Sequence, residues 1–232
     1  MKTIGMIGGM SWQSSLEYYR LINENVQRQL GGHNNAKSLM ASVNFGEVEA
    51  MMQDDDWPAI REELGNAARQ LQDGGADLVI LCTNTMHKLA DDIAAGINIP
   101  LLNIIDATAR EIHAAKLSRV GLLGTRFTMR DEFFVERLAK HGIETVLPEK
   151  LDQFEVDRII FEELTQGIVE NDSRNDYLRV IDRLKGEGAQ GVILGCTEIG
   201  MLLKQRDCAL PLFDTTRIHA RAAVRAALGR TA

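Results

Sequence analysis

Three segments from the first half of the 232-residue chain recur in the second half, in the same order. Thr3-Ile4-Gly5-Met6-Ile7-Gly8 returns 116 positions later (119 − 3) as Arg119-Val120-Gly121-Leu122-Leu123-Gly124. The run Gly75-Ala76-Asp77-Leu78-Val79-Ile80-Leu81-Cys82-Thr83 returns as Gly188-Ala189-Gln190-Gly191-Val192-Ile193-Leu194-Gly195-Cys196-Thr197, with one residue inserted. Ile99-Pro100-Leu101-Leu102 returns as Leu210-Pro211-Leu212-Phe213. An ordered repeat of this kind predicts two similar subdomains. It constrains the fold more tightly than composition does.

Within each half, short apolar runs alternate with helical patterns. Strands are predicted over 3–8, 38–45 and 78–81, then over 119–124, 143–147 and 191–195, with a last apolar run at 211–213. A helix is predicted over 14–30, with Ser14 and Glu17 as a capping box and Trp12, Leu16, Tyr19, Ile22, Val26 and Leu30 at helical spacing. Pro58 suits the first turn of a second helix, which runs to Gly74 with Ile60, Leu64, Ala67, Ala68 and Leu71 inward. Further helices are predicted over 128–140, 152–166, 172–185 and 215–228. Leu78–Leu81 is apolar throughout, as strands buried on both faces are. This βα alternation predicts an α/β fold of parallel sheets flanked by helices. No Gly/Ser-rich linker interrupts it, so any domain boundary is tight, near Asn98–Pro100 and again near Ala209–Pro211.

Composition excludes several function classes. With 45% hydrophobic and 25% charged residues the chain is neither disordered nor fibrous. A net charge of −7 without a basic stripe argues against nucleic acid or an anionic membrane surface as partner. No run of about 20 apolar residues could span a bilayer, and the N-terminus lacks the apolar core of a signal peptide. Three cysteines without a C-x-x-C pair argue against a disulfide framework or a structural zinc site. Together these point to a cytoplasmic location. The five histidines show no metal-ligand spacing, so no metal site is expected. Gly5-x-x-Gly8-Gly9 lacks the spacing of a dinucleotide loop; its glycines suit a tight strand–helix turn.

In open parallel sheets, ligands bind beyond the carboxyl ends of the strands. Gly8-Gly9-Met10-Ser11, Cys82-Thr83-Asn84-Thr85, Gly124-Thr125 and Gly195-Cys196-Thr197-Glu198 all fall there. Free backbone N–H groups and hydroxyl or amide side chains at helix starts suit a carboxylate or phosphate. Cys82 and Cys196 follow matching strands, and a helix N-terminus is expected to lower a thiol pKa. Two opposed thiols could remove a proton from one face of a carbon and return one to the other, inverting a stereocentre. Cys208 has no counterpart in the repeat. His87, soon after Cys82, is read as either a group tuning that thiol or a solvated helix histidine.

Ile7-Gly8-Gly9-Met10-Ser11, Leu81-Cys82-Thr83-Asn84-Thr85-Met86-His87 and Gly195-Cys196-Thr197-Glu198-Ile199 resemble the aspartate/glutamate racemase family, and within it the bacterial broad-specificity amino-acid racemases. The resemblance spans the whole length. It implies two pseudo-symmetric α/β lobes with the active site in the cleft between them, no pyridoxal phosphate or other cofactor, and a two-base mechanism. It also implies that the C-terminal segment returns to the first lobe, giving lobes of 1–98 plus 211–232 and 99–210. Carried over by position, Cys82 and Cys196 are the acid/base thiols. Asn84, Thr85 and Thr197 hold the substrate carboxylate with Thr125 and Met10 nearby, and Ser11, Thr83 and Glu198 complete the substrate-binding set. The implied partner is a small amino acid, and a homodimer is a common state among such proteins.

Strict aspartate racemases of this type use an arginine after the second strand and a lysine in the long helix of the second half. Here those regions read Asn44-Phe45-Gly46-Glu47-Val48 and Ile160-Phe161-Glu162-Glu163-Leu164-Thr165, with Thr165 in place of the lysine. An acidic side chain would lack its charge partners, and an unpaired buried charge is costly. Neutral or broadly tolerated side chains are therefore expected, although Arg126 could still serve an acidic substrate. The alternatives are another two-cysteine activity (hydantoin racemase or maleate isomerase), a cysteine-nucleophile hydrolase, and a non-catalytic small-carboxylate-binding protein.

Overall fold

The computed structural model describes residues 1–230. Strands β1 (Ile4–Gly8), β2 (Ser38–Ser42), β3 (Leu78–Leu81) and β4 (Leu101–Leu102) form one sheet in the order β2-β1-β3-β4. Strands β5 (Arg119–Gly124), β6 (Glu144–Val146), β7 (Val192–Gly195) and β8 (Leu212–Asp214) form a second in the order β6-β5-β7-β8. Every pairing is parallel. The sequence repeat is thus a repeat of strand order.

The chain divides into two compact units. One holds Met1–Asn103 and the segment from His219 onward; the other holds Ile104–Ile218. These borders lie a few residues beyond 98/99 and 210/211, for one reason in both places. Each proline leads a short edge strand that completes the sheet before it. Val79 N donates to Pro100 O and Val192 N to Pro211 O, both carbonyls lying just ahead of the edge strand. β4 then pairs β3, and β8 pairs β7.

In the first unit the sheet separates two apolar layers. Ile7, Val79 and Leu81 point to a cluster with α3 (Trp57–Asp73), whose inward residues Ile60, Leu64, Ala67, Ala68 and Leu71 are those expected from spacing. Ile4, Met6, Leu78, Ile80 and Cys82 point the other way, to α1 (Trp12–Leu30) and the C-terminal helix (Thr215–Ala227). This is the period-two alternation of a strand buried on both faces, and Cys82 continues it past the end of β3.

Helix α1 departs from expectation. Ser11, not Ser14, is its N-cap, accepting from Ser14 N at 3.2 Å. Trp12 (67% exposed), Leu16, Tyr19 and Leu30 face outward, and the buried stripe is Ser14, Ser15, Tyr18, Leu21, Ile22 and Val26. The serines face inward because backbone groups at the strand ends need partners: Ser15 Oγ accepts from Gly9 N, and Ser14 Oγ donates to Cys82 O. The run expected as strand to Phe45 ends at Ser42, where Asn44 caps α2 (Phe45–Gln53). Met10 and Met86 are core, with Met51 and Met52 packed on the same cluster.

The second unit packs α8 (Lys150–Glu162), α9 (Asn171–Gly186) and α10 (Ile199–Leu202) on Leu123, Val192 and Leu194. The helix expected over 128–140 is two helices, α6 (Arg126–Arg130) and α7 (Glu132–Lys140), broken at Asp131. α5 (Ile104–Ala114) was not anticipated. It is tied to α7 by Asp106, which accepts a two-pronged ion pair from Arg137 and a hydrogen bond from His141 Nε2 at 2.8 Å. Burial alone would raise the Asp106 pKa, but Arg137 and His141 outweigh it and hold the carboxyl below the usual range. A depressed folded-state pKa stabilises above the unfolded value, about 3.9, and that stability is lost as pH falls through the folded pKa. Asp106→Asn should therefore lower Tm at neutral pH and leave a shallower fall of Tm on acidification than wild type, measured by calorimetry between about pH 6 and pH 3.

No helix among the described residues is long and apolar enough to cross a membrane.

Candidate active site

Strand order places a topological switch point in each unit. The chain leaves β1 for β2 on one side and crosses to β3 on the other, so the loops after β1 and β3 diverge and leave a crevice. The loops after β5 and β7 do the same in the second sheet. The residues singled out from the sequence fall at these two places: Met10, Ser11, Cys82, Thr83, Asn84 and Thr85 in the first unit, and Thr125, Cys196, Thr197 and Glu198 in the second.

The first switch point depends on Gly9. Its φ is +92°, and a Cβ there would lie 2.1 Å from Val43 O. The absent side chain lets the β1–α1 loop press against the end of β2, where Val43 N donates to Gly8 O. Beyond β3, the backbone of Cys82 and Thr83 is fixed at three atoms. Cys82 N donates to Ile7 O at 2.9 Å, Cys82 O accepts from Ser14 Oγ at 2.7 Å, and Thr83 O accepts from His87 Nδ1 at 2.9 Å. Thr83, Asn84 and Thr85 are buried polar residues leading into a 3-10 turn, Thr85–Leu89. Cys82 itself is fully buried, and burial pushes its thiol well above the usual range.

In the second unit, Gly124 pairs Gly195 at the strand ends, and neither has room for a side chain. A Cβ on Gly124 would meet Gly195 O at 2.9 Å, and one on Gly195 would meet Leu123 O at 2.9 Å. Thr125 caps α6, accepting from Thr128 N. Cys196 is half-buried, and its Sγ donates to Glu198 Oε2 at 3.0 Å; Thr197 Oγ1 donates to the same carboxylate oxygen. Burial first, and the Glu198 charge second, raise the Cys196 thiol well above its ordinary value.

Both thiols thus differ from the expectation of a lowered pKa. Cys82 precedes a 3-10 turn and Cys196 a four-residue helix, so little dipole acts on either. Desolvation of the anion dominates instead. The inserted Gly195 also changes the facing. Cys82 belongs to the cluster under α1, whereas Cys196 packs against the cluster under α8 and α9. α3 and α9 each precede the third strand of their sheet, so one extra residue has moved the second thiol to the opposite face.

Thr165, expected in place of a lysine, donates to Phe161 O within its own turn. Glu47 is exposed and accepts from Asn44 Nδ2, and Glu163 pairs with Arg158 and Ser173. The Arg126 guanidinium lies 5.0 Å from the Phe127 ring centre. Among the described residues, no group of three or more His, Cys, Asp or Glu side chains could hold a metal ion. Sequence reading missed Ser14 and Ser15 as supports of the site and Tyr18 and His219 behind it. Serines in an amphipathic helix read as solvent-facing, and no local motif links residue 219 to residue 82.

Two parallel sheets of identical order, each carrying a cysteine just beyond its third strand, define an α/β protein with paired thiol sites. The family model for Asp/Glu/hydantoin racemases matches residues 7–223, and the chain belongs to that family. A crystal structure from Yersinia pestis, assigned provisionally as an Asp/Glu racemase, is 50% identical, covers 98% of this chain and 100% of that one, and has a TM-score of 0.93. An aspartate racemase homologue from Pyrococcus horikoshii OT3 is 36% identical over 98% of this chain and 100% of that one, with a TM-score of 0.88. The broad-specificity amino-acid racemase RacX of Bacillus subtilis is 24% identical over 173 residues, 73% of each chain.

Proposed function

We propose that this chain is a cofactor-independent amino-acid racemase in which Cys82 and Cys196 move the α-proton, and that its side-chain specificity is broad or neutral. The observation that carries the reading is the matching place of the two cysteines in the strand order, on opposite faces of their sheets. Each stands at the switch point of its own sheet, followed by threonine and then an amide or a carboxylate.

The scheme requires one thiol on each face of the substrate α-carbon. A thiolate takes the α-proton, and the opposite thiol donates a proton to the other face and becomes the thiolate; the roles swap for the other enantiomer. The substrate carboxylate is held by hydroxyl, amide and backbone N–H donors among Ser11, Thr83, Asn84, Thr85, Thr125 and Thr197, with Met10 alongside. Those donors stabilise the enolate-like charge as it develops. Burial holds both thiols above their ordinary pKa, so the scheme needs a base to draw off one proton. Glu198, already accepting from Cys196 Sγ, is placed for that.

Glu198→Gln separates these effects. Removing the carboxylate charge lowers the Cys196 pKa, so iodoacetamide should label Cys196 faster than in wild type at a given pH near neutrality. Racemisation should nevertheless slow, by about 10²-fold if Glu198 acts as a base. Unchanged labelling and unchanged turnover would remove Glu198 from the scheme.

The reading itself is tested by incubating the protein with a panel of L- and D-amino acids and following the enantiomers by chiral chromatography. Neutral amino acids should racemise with kcat/KM at least equal to that of aspartate or glutamate. A panel with no turnover would overturn the assignment, and a strong preference for aspartate would overturn the specificity.

A further inference from the structure

Behind the Cys82 loop lies a buried polar cluster that the racemisation scheme does not use. His219 is fully buried and belongs to the C-terminal helix. Its Nε2 donates to Leu102 O at 2.8 Å, because a carbonyl can only accept. Its Nδ1 lies 2.9 Å from the Tyr18 hydroxyl. Its ring meets the His87 ring edge-on, with centroids 5.5 Å apart at 71°. His87, 4% exposed, in turn donates from Nδ1 to Thr83 O. One imidazole therefore joins α1, β4 and the 3-10 turn that follows the thiol. Tyr18 lies one helical turn beyond Ser14, which holds Cys82 O.

We propose that His87 and His219 are positioning residues for Cys82: the His219 imidazole, anchored by Tyr18 and Leu102, braces His87, whose hydrogen bond to Thr83 O fixes the direction of the thiol. Its consequence for catalysis rests on the racemase reading; the brace itself does not. The carbonyls of Cys82 and Thr83 are both pinned by side chains, one from α1 and one from His87. Freeing the second lets the peptide after Thr83 rotate, which loosens the turn that follows Cys82 and shifts Sγ. Proton transfer from carbon tolerates little misplacement, and an error of about 1 Å can cost about 10²-fold. The second thiol is held by other means, at the sulfur itself by Glu198. A lesion in the histidine brace should therefore be felt at one thiol alone.

The test compares His219→Leu, His219→Gln and Tyr18→Phe with wild type by two readouts. The first is steady-state racemisation. His219→Leu should lower kcat about tenfold or more while KM moves less than about twofold. His219→Gln should recover part of that loss, since its amide can still donate to Leu102 O and accept from Tyr18. The second is the labelling rate of each cysteine with iodoacetamide, read by mass spectrometry, with Cys196 and Cys208 as references in the same molecule. Cys82 labelling should change at least about threefold while Cys196 labelling stays at the wild-type rate. Should His219→Leu fail to fold, Tyr18→Phe, which removes one hydroxyl, carries the same comparison. Wild-type kcat and wild-type Cys82 labelling in a folded variant would overturn the proposal. So would a parallel rise at all three thiols, which would mean general loosening. A selective change at Cys82 in a protein that racemises nothing would uphold the brace and refute the racemase reading.

Discussion

Cys82→Ser and Cys196→Ser are each expected to lose racemase activity by about 10³-fold, within the 10²–10⁴ that a positioned acid or base contributes. A serine hydroxyl is far too weak an acid to supply the anion, and in the proposed scheme the remaining thiol serves one face of the α-carbon alone. The loss should be lopsided in a revealing way. In D2O each variant should still exchange the α-proton of one enantiomer, and the two variants should favour opposite enantiomers. Cys208→Ser should behave as wild type, because the half-buried Cys208 side chain packs at the edge of the second core. Chiral chromatography with NMR of the α-position reads all three. Full activity in either the Cys82 or the Cys196 variant would end the two-thiol scheme.

The largest expected effect on folding comes from Gly9→Ala. The new Cβ would sit 2.1 Å from Val43 O and 2.7 Å from Val43 N, both backbone atoms, at a residue whose φ is +92°. Relief requires parting the β1–α1 loop from β2 and losing the bond from Val43 N to Gly8 O. A cost of about 3 kcal/mol is expected from overpacking and the left-handed backbone together. For a chain of this size that lowers Tm by about 6–12 °C. Gly142→Ala is the matched control. Its φ is +70° but nothing lies within 4 Å, so only the backbone term, about 1 kcal/mol, applies. Equal costs at the two glycines would show that the close approach at Gly9 is not what demands glycine there.

The repeat, the parallel sheets and the two cysteine-bearing loops were legible in the sequence. Leu78–Leu81 and Val192–Leu194 are apolar without interruption because both sheet faces are covered, and few other structures demand that pattern. What escaped was set by tertiary contacts. Trp12, Leu16 and Tyr19 share a helical stripe that turns out to be exposed, while Ser14 and Ser15 are buried to satisfy Cys82 O and Gly9 N. Periodicity weighs hydrophobicity and cannot see a distant backbone atom awaiting a partner. The thiol acidity was misjudged because spacing reveals a strand end but not the length of the helix behind it or the depth of burial. No motif linked His219 to His87, since the 132 positions that separate them in sequence (219 − 87) close only in the fold.

Transfer by two bases is tested most directly by running the wild-type reaction from one pure enantiomer in D2O and stopping it after a few per cent conversion. With separate acid and base thiols, the product should carry solvent deuterium at the α-carbon while the unreacted substrate keeps its protium. A product that retains the substrate's own proton would mean that a single group returns it, and would contradict the central claim.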